Sequence, residues 1–212
     1  MDPFTQLTAV ACPLPLANVD TDQIVPARFM STPRAQGYSG FLLHDMRRGA
    51  DGQPTGLIAL DRPERAGAQI IVAKRNFGCG SSREAAVYAL ADFGIRCVIA
   101  PSFGEIFAGN SLSNGLLTAR VSETEADALL AALEAGGKTL TVDLEAQTIS
   151  GGDQAVRFDI DPAARLRLLN GWDAIQMTLS FKDEIAAFQV RDAAARPWAK
   201  PQKVSDPRGL TP

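Results

Sequence analysis

The sequence predicts a layered α/β domain whose strands pair largely in parallel. Two observations carry this reading. The runs Gln69-Ile70-Ile71-Val72-Ala73 and Cys97-Val98-Ile99-Ala100 are rich in β-branched residues and bounded by polar residues or proline, as buried strands are. Each is followed by a segment of helical character, and a strand–helix–strand–helix order requires crossover connections between parallel strands.

Taken from the N-terminus, residues 7–11 read as a short strand, followed by the polar loop Asn18-Val19-Asp20-Thr21-Asp22-Gln23 and an apolar stretch over 24–30. Residues 31–56 are rich in Gly, Pro, Ser and Arg, with one helical candidate at 41–47; irregular stretches of this length are usually lids or disordered. After the strand at 69–73, a helix is predicted over 82–93, with Ala86, Leu90 and Phe93 on one face and Gly94 as its stop. The strand at 97–100 closes at Pro101, and a helix follows over 103–112. Asn114-Gly115 marks a turn into a strand at 116–121. Ser122 and Glu125 form a capping-box pattern for a helix reaching Glu134 and stopping at Gly136-Gly137. Residues 139–143 and 155–160 read as antiparallel strands joined through Gly151-Gly152. Helices are predicted over 162–170 and 183–194, and the Pro-rich segment 197–212 reads as a mobile tail.

Composition narrows the function. A chain of 212 residues that is 46% hydrophobic and 21% charged can bury a substantial core as a soluble protein. Its net charge of −3 and scattered basic residues argue against a nucleic-acid partner. No apolar run approaches the roughly 20 residues of a membrane span, and the N-terminus lacks a basic, apolar leader, so the expected address is cytoplasmic, without membrane. Cys12, Cys79 and Cys97 are far apart with no C-x-x-C, and His44 is the single histidine. Neither a metal site nor a cluster is expected from that set.

Chemistry concentrates in Asn76-Phe77-Gly78-Cys79-Gly80-Ser81-Ser82-Arg83-Glu84, between a predicted strand and a predicted helix. Gly78 and Gly80 let the backbone turn sharply and approach a ligand. A helix beginning near Ser82 offers unpaired N–H groups, two hydroxyls lie beside it, and Arg83 adds a cation. The third glycine of a dinucleotide fingerprint is replaced by Arg83, and no Gly-Lys-Ser/Thr completes a phosphate loop. The planar guanidinium fits a carboxylate better than a nucleotide. Read on its residues alone, the turn is an anion site or a plain helix cap.

The same residues resemble the Gly-x-Gly-Ser-Ser-Arg-Glu turn of the swivelling domain in the aconitase superfamily. Further segments are similar to the small-subunit family of isopropylmalate dehydratases: Asn18 to Ile24 with Pro26, Ile99-Ala100-Pro101-Ser102-Phe103-Gly104-Glu105-Ile106-Phe107, Asn110 with Gly115-Leu116-Leu117, Val142 to Gln147, and Asn170-Gly171-Trp172-Asp173-Ala174-Ile175. They run in one order over about residues 7–190.

The resemblance implies a layered β/β/α swivel domain, of the aconitase C-terminal-domain type, over residues 1–196. It implies a hydro-lyase subunit, inactive alone, that isomerises 2-isopropylmalate to 3-isopropylmalate in leucine biosynthesis together with a large subunit carrying a 4Fe–4S cluster. In that frame Ser81 is the base that moves the proton at carbon. Arg83 and Ser82 hold the dicarboxylate substrate, Gly78, Cys79 and Gly80 form the anion turn, and Arg47 is a second carboxylate clamp. Asp20 and Asp22 organise the N-terminal loop and the subunit contact. Two departures stand out: Met46 where Trp is usual, and Ala85 where the family usually has His. The second leaves open a paralogous hydro-lyase for a methylmalate or citraconate-type substrate. A non-catalytic anion-binding module is the alternative from another class.

Overall fold

Strand β1 (Gln6–Leu14) organises the computed structural model, which describes residues 1–151 and 154–199. Its first half pairs antiparallel with a late strand, from Gln6 opposite Asp143 to Val10 opposite Thr139. Its second half pairs in parallel with β2, from Ala11 opposite Ile70 to Leu14 opposite Ala73. In chain order β1 is followed by α1 (Thr21–Ile24), α2 (His44–Arg47), β2 (Ile70–Ala73), α3 (Glu84–Phe93), β3 (Cys97–Ala100), α4 (Glu105–Ser113), β4 (Leu117–Arg120) and α5 (Glu123–Glu134). Then come β5 (Thr139–Asp143), β6 (Thr148–Gly151), β7 (Gln154–Arg157) and α6 (Pro162–Asn170). The sheet order is β4-β3-β2-β1-β5-β6-β7, parallel from β4 to β1 and antiparallel beyond it.

Alternation along the parallel strands separates two apolar clusters. Ile71, Ala73, Val98 and Ala100 point to one face, where Ala86, Val87, Ala89 and Leu90 of α3 cover them with Ile24, Tyr38, Leu42 and Leu43. Ile70, Val72, Cys97 and Ile99 point to the other, covered by Ala126, Leu129, Leu130 and Leu133 of α5 and by Leu140, Val142 and Ile149 of the antiparallel strands. Strands buried on both faces read as unbroken apolar runs, which is why β2 and β3 were predictable. The buried Arg65 ties the layers together: it donates to the Ala11, Gly137 and Leu133 carbonyls at 2.8, 2.7 and 2.6 Å, placing a cation at the C-terminal end of α5.

Several expectations need correcting. The strands predicted at 139–143 and 155–160 are not partners. β6 lies between β5 and β7 and pairs with both, and only Gly151 of the expected Gly-Gly link is among the described residues. The loop predicted at 18–23 runs into α1, capped by a reciprocal pair in which Asp20 accepts from the Gln23 N–H at 2.7 Å and Gln23 accepts from the Asp20 N–H at 2.9 Å. The segment 31–56 is fastened to α3: Arg34 makes a two-pronged contact with Asp92 at 2.7 Å per bond, and the Tyr38 N–H donates to the same carboxylate. Beyond Asp173 the internal contacts define a second unit. It contains α7 (Ala174–Ser180), which was not predicted, and α8 (Lys182–Ala195), which was. Pro197–Ala199 form a short turn, and the rest of the predicted tail lies outside the described residues.

Candidate active site

The Asn76–Glu84 segment leaves the C-terminal end of β2 and is held from both sides. On one flank the Gly78 N–H donates to the Val19 carbonyl at 2.7 Å, and the Thr21 N–H donates to the Cys79 carbonyl at 2.9 Å. On the other the Phe77 N–H donates to Ser102 O, and the Gly104 N–H to Phe77 O, each at 3.0 Å. The turn thus extends the order β1–β2–β3 past the carboxyl ends of the strands, where ligands of open α/β sheets bind. Two glycines permit this closeness. Gly78 has φ +71°, and a Cβ there would lie 2.2 Å from Phe107 Cγ; a Cβ on Gly104 would lie 2.4 Å from the Gly78 carbonyl oxygen.

Helix α3 begins at Glu84, not at 82 as expected. Arg83 occupies the cap position in an extended conformation (φ −133°, ψ 100°) with no side-chain cap bond, so neither serine is a helix cap. Ser81 and Ser82 are exposed. The N–H groups of Gly80, Ser81 and Ser82 donate to no acceptor among the described residues, and such a run can receive an anion. Thr21 Oγ1 donates to the Ser81 carbonyl at 2.9 Å. Arg83, largely covered, pairs through Nη1 with Asp22. Glu84 accepts from Asn114 Nδ2 at 3.1 Å. A cavity of about 490 Å³ between α4, β4 and α6 includes Phe103, Leu112 and Arg120 in its lining but no residue of the 76–84 turn, whose serines lie on an open surface.

Arg47 is not part of this group. The residue is buried, 7% exposed, and its guanidinium donors are used internally. Nε and Nη2 reach Asp61 Oδ1 at 3.1 and 2.7 Å, Nη1 reaches the Leu42 carbonyl at 3.1 Å, and the plane lies over the Phe93 ring. Phe93 ends the ten-residue α3 whose start carries Arg83, so the two sites are separated by roughly 15 Å of helix. The sequence does not reveal this pairing, because Asp61 lies fourteen positions further on and nothing in it shows that the segment folds back. Burial alone would raise the Asp61 carboxyl, but its bonds and proximity to Arg47 and Arg48 outweigh this and hold it below the ordinary carboxylate value. The stabilisation from this lowered group is present above that ordinary value, about 4, and is lost as pH falls through the folded one. Replacing Arg47 by Met should cost about 3 kcal/mol in urea unfolding at neutral pH. The cost should shrink on acidification, and turnover per folded molecule should stay near that of the unaltered protein.

The three thiols lie in three different surroundings. Cys12 lies in one apolar cluster, Cys97 in the other, and Cys79 in the turn. No group of three or more His, Cys, Asp or Glu gathers among the described residues. Burial pushes the Cys12 thiol up to about 12 and raises Cys97 as well. Iodoacetamide on the native chain should therefore label Cys79 first; peptide mapping that found Cys12 or Cys97 modified at equal rates would contradict the buried arrangement. His44 is partly exposed beside Asp45 and Arg28 and makes no contact with the turn among the described residues. No helix among the described residues is long and apolar enough to cross a membrane.

This fold and turn define an aconitase-type swivel domain, and the family model described as the aconitase C-terminal domain matches residues 1–124. A second model, LeuD_N, matches residues 127–162. The chain is 46% identical over 199 residues to a protein of Phenylobacterium zucineum (strain HLK1) named 3-isopropylmalate dehydratase small subunit, covering 93% of this chain and 98% of that one. It is 48% identical over 200 residues to the protein of the same name from Afipia carboxidovorans, covering 93% and 100%. The chain belongs to the family of 3-isopropylmalate dehydratase small subunits. Its fold is similar to the crystal structure of 3-isopropylmalate dehydratase (leuD) from Methanocaldococcus jannaschii, with a TM-score of 0.60 at 23% identity over 87% of this chain and 99% of that chain.

Proposed function

We propose that, joined to a large partner subunit, this chain supplies one wall of the active site that interconverts 2-isopropylmalate and 3-isopropylmalate through isopropylmaleate, the isomerisation step of leucine biosynthesis. The observation that supports it best is the open turn of a small-subunit family member, where exposed serines, unpaired N–H groups and Arg83 stand together.

Dehydration removes a proton from one carbon and a hydroxyl from its neighbour. Ser81 Oγ, as the alkoxide, takes the proton from carbon, and its O–H returns it during rehydration. A serine is a poor base in water, so the alkoxide needs the Gly80–Ser82 N–H groups and the Arg83 charge nearby, in a site that excludes solvent. The exposure of Ser81 supports completion of that site by a partner. Arg83 and Ser82 bind a substrate carboxylate. The iron–sulfur cluster assigned to the large partner by resemblance would act as a Lewis acid on the leaving hydroxyl; this chain's thiols form no ligand set for it.

The test is anaerobic reconstitution with the cognate large subunit, assaying each component alone and the two together. 2-Methylmalate is the comparison substrate, because Ala85 stands where an imidazole is usual in the family. Turnover of 2-isopropylmalate by the mixture alone is expected. A preference for 2-methylmalate would keep the chemistry and overturn the substrate, and turnover by the isolated chain would overturn the shared site.

A further inference from the structure

We infer that Asp22 is a positioning residue that presents Arg83 to the substrate carboxylate; this rests on the carboxylate-binding role proposed for Arg83. Asp22 contacts Arg83 through Nη1, while Nε and Nη2 donate to no acceptor among the described residues. One prong of the guanidinium is therefore tethered. The Nε–Nη2 edge keeps the geometry that grips a second carboxylate with two parallel bonds. An untethered arginine would have to lose its side-chain freedom when substrate arrives, and Asp22 removes part of that cost beforehand.

The tether itself is fixed. Asp22 lies in α1, which the Asp20–Gln23 pair caps. Its neighbour Thr21 is bonded twice to the turn, through its N–H to the Cys79 carbonyl and through Oγ1 to the Ser81 carbonyl, each at 2.9 Å. Consecutive residues of one helical turn thus hold the proposed base and the proposed clamp, and so set the spacing between them. A stability role does not account for Asp22: its side chain is 54% exposed, and ion pairs at such positions add little to folding.

The test compares Asp22→Ala, Asp22→Asn, Arg83→Ala and the Asp22→Ala/Arg83→Ala double variant in the complex reconstituted with the large subunit. Asp22→Ala is expected to raise KM roughly tenfold, the scale of one charge-assisted hydrogen bond, while kcat stays within about threefold. Asp22→Asn, which keeps the oxygen acceptor, should recover most of the loss. In the Arg83→Ala background, Asp22→Ala should change KM no further, because the residue acts only through Arg83. An unchanged or lowered KM in Asp22→Ala, or an effect that persists without Arg83, overturns the inference. If Arg83→Ala itself keeps the wild-type KM, the carboxylate role falls and this inference with it; if Arg83→Ala is impaired and Asp22→Ala is not, only the inference falls.

Discussion

Replacing Ser81 by alanine is expected to lower kcat of the reconstituted complex by about 10²–10⁴-fold, the range for removal of a positioned base, with KM within about threefold. The substitution deletes an exposed hydroxyl that neither accepts nor donates a bond among the described residues, so neither the turn nor α3 loses support there. The Ser81 carbonyl, which receives the Thr21 hydroxyl, is untouched. Ser82→Ala is the matched control: also exposed and one residue along, it should act mainly on KM, because its proposed partner is a carboxylate rather than the proton in flight. Equal losses in the two variants would assign both hydroxyls to binding. An active Ser81→Ala complex, shown by mass spectrometry to be free of wild-type chain, would remove Ser81 from the chemistry.

Gly78→Ala should destabilise the fold by about 2–4 kcal/mol, combining left-handed backbone strain with overpacking. The new Cβ would lie 2.2 and 2.5 Å from Cγ and Cδ1 of Phe107, a buried ring packed edge-on against Phe77 with centroids 5.4 Å apart. Moving α4 away to relieve the clash would stretch the bond from the Gly104 N–H, at its cap, to the Phe77 carbonyl, 3.0 Å long. Urea midpoints at constant m would measure the loss. In a double-mutant cycle with Phe107→Ala the cost of Gly78→Ala should shrink, since Cγ and Cδ1 are removed while the Cβ contact at 2.7 Å and φ +71° remain. A midpoint within experimental error of wild type would mean that the turn does not press on α4 as described.

The parts of this fold that could be read from the sequence were those specified locally. β2 and β3 announce themselves because both faces are buried, and α5 because Ser122 and Glu125 cap it reciprocally. The anion turn was readable because its components are contiguous. β6 was missed because Thr148-Ile149-Ser150-Gly151 has a single large apolar side chain and takes its identity from two neighbours. The capping signal for α1, Asp20 followed by Gln23, was present in the sequence but announces only four residues of helix. Ser81 and Ser82 look like helix caps in the sequence, but Gly80 at φ +96° and the extended Arg83 delay the helix to Glu84. Long-range pairings were not readable. Arg83 and Asp22 are 61 positions apart, and the partner of Arg47 is a carboxylate whose burial depends on how the 42–61 segment closes.

The double pairing of β1 bears on how the chain assembles during synthesis. Residues Gln6–Val10 leave the ribosome well before the strand that covers their backbone, Thr139–Asp143, which follows more than a hundred residues later. Until β5 emerges, this half of the first strand presents an open hydrogen-bonding edge, the kind that recruits wrong partners. The other half finds β2 much sooner, from Ala11 opposite Ile70 onward. β1 is thus completed only after β5, the later of its two partners, has been made. Its polar positions Gln6 and Thr8, which bond to Asp143 and Thr141 in the finished sheet, keep that waiting edge hydrophilic in the meantime.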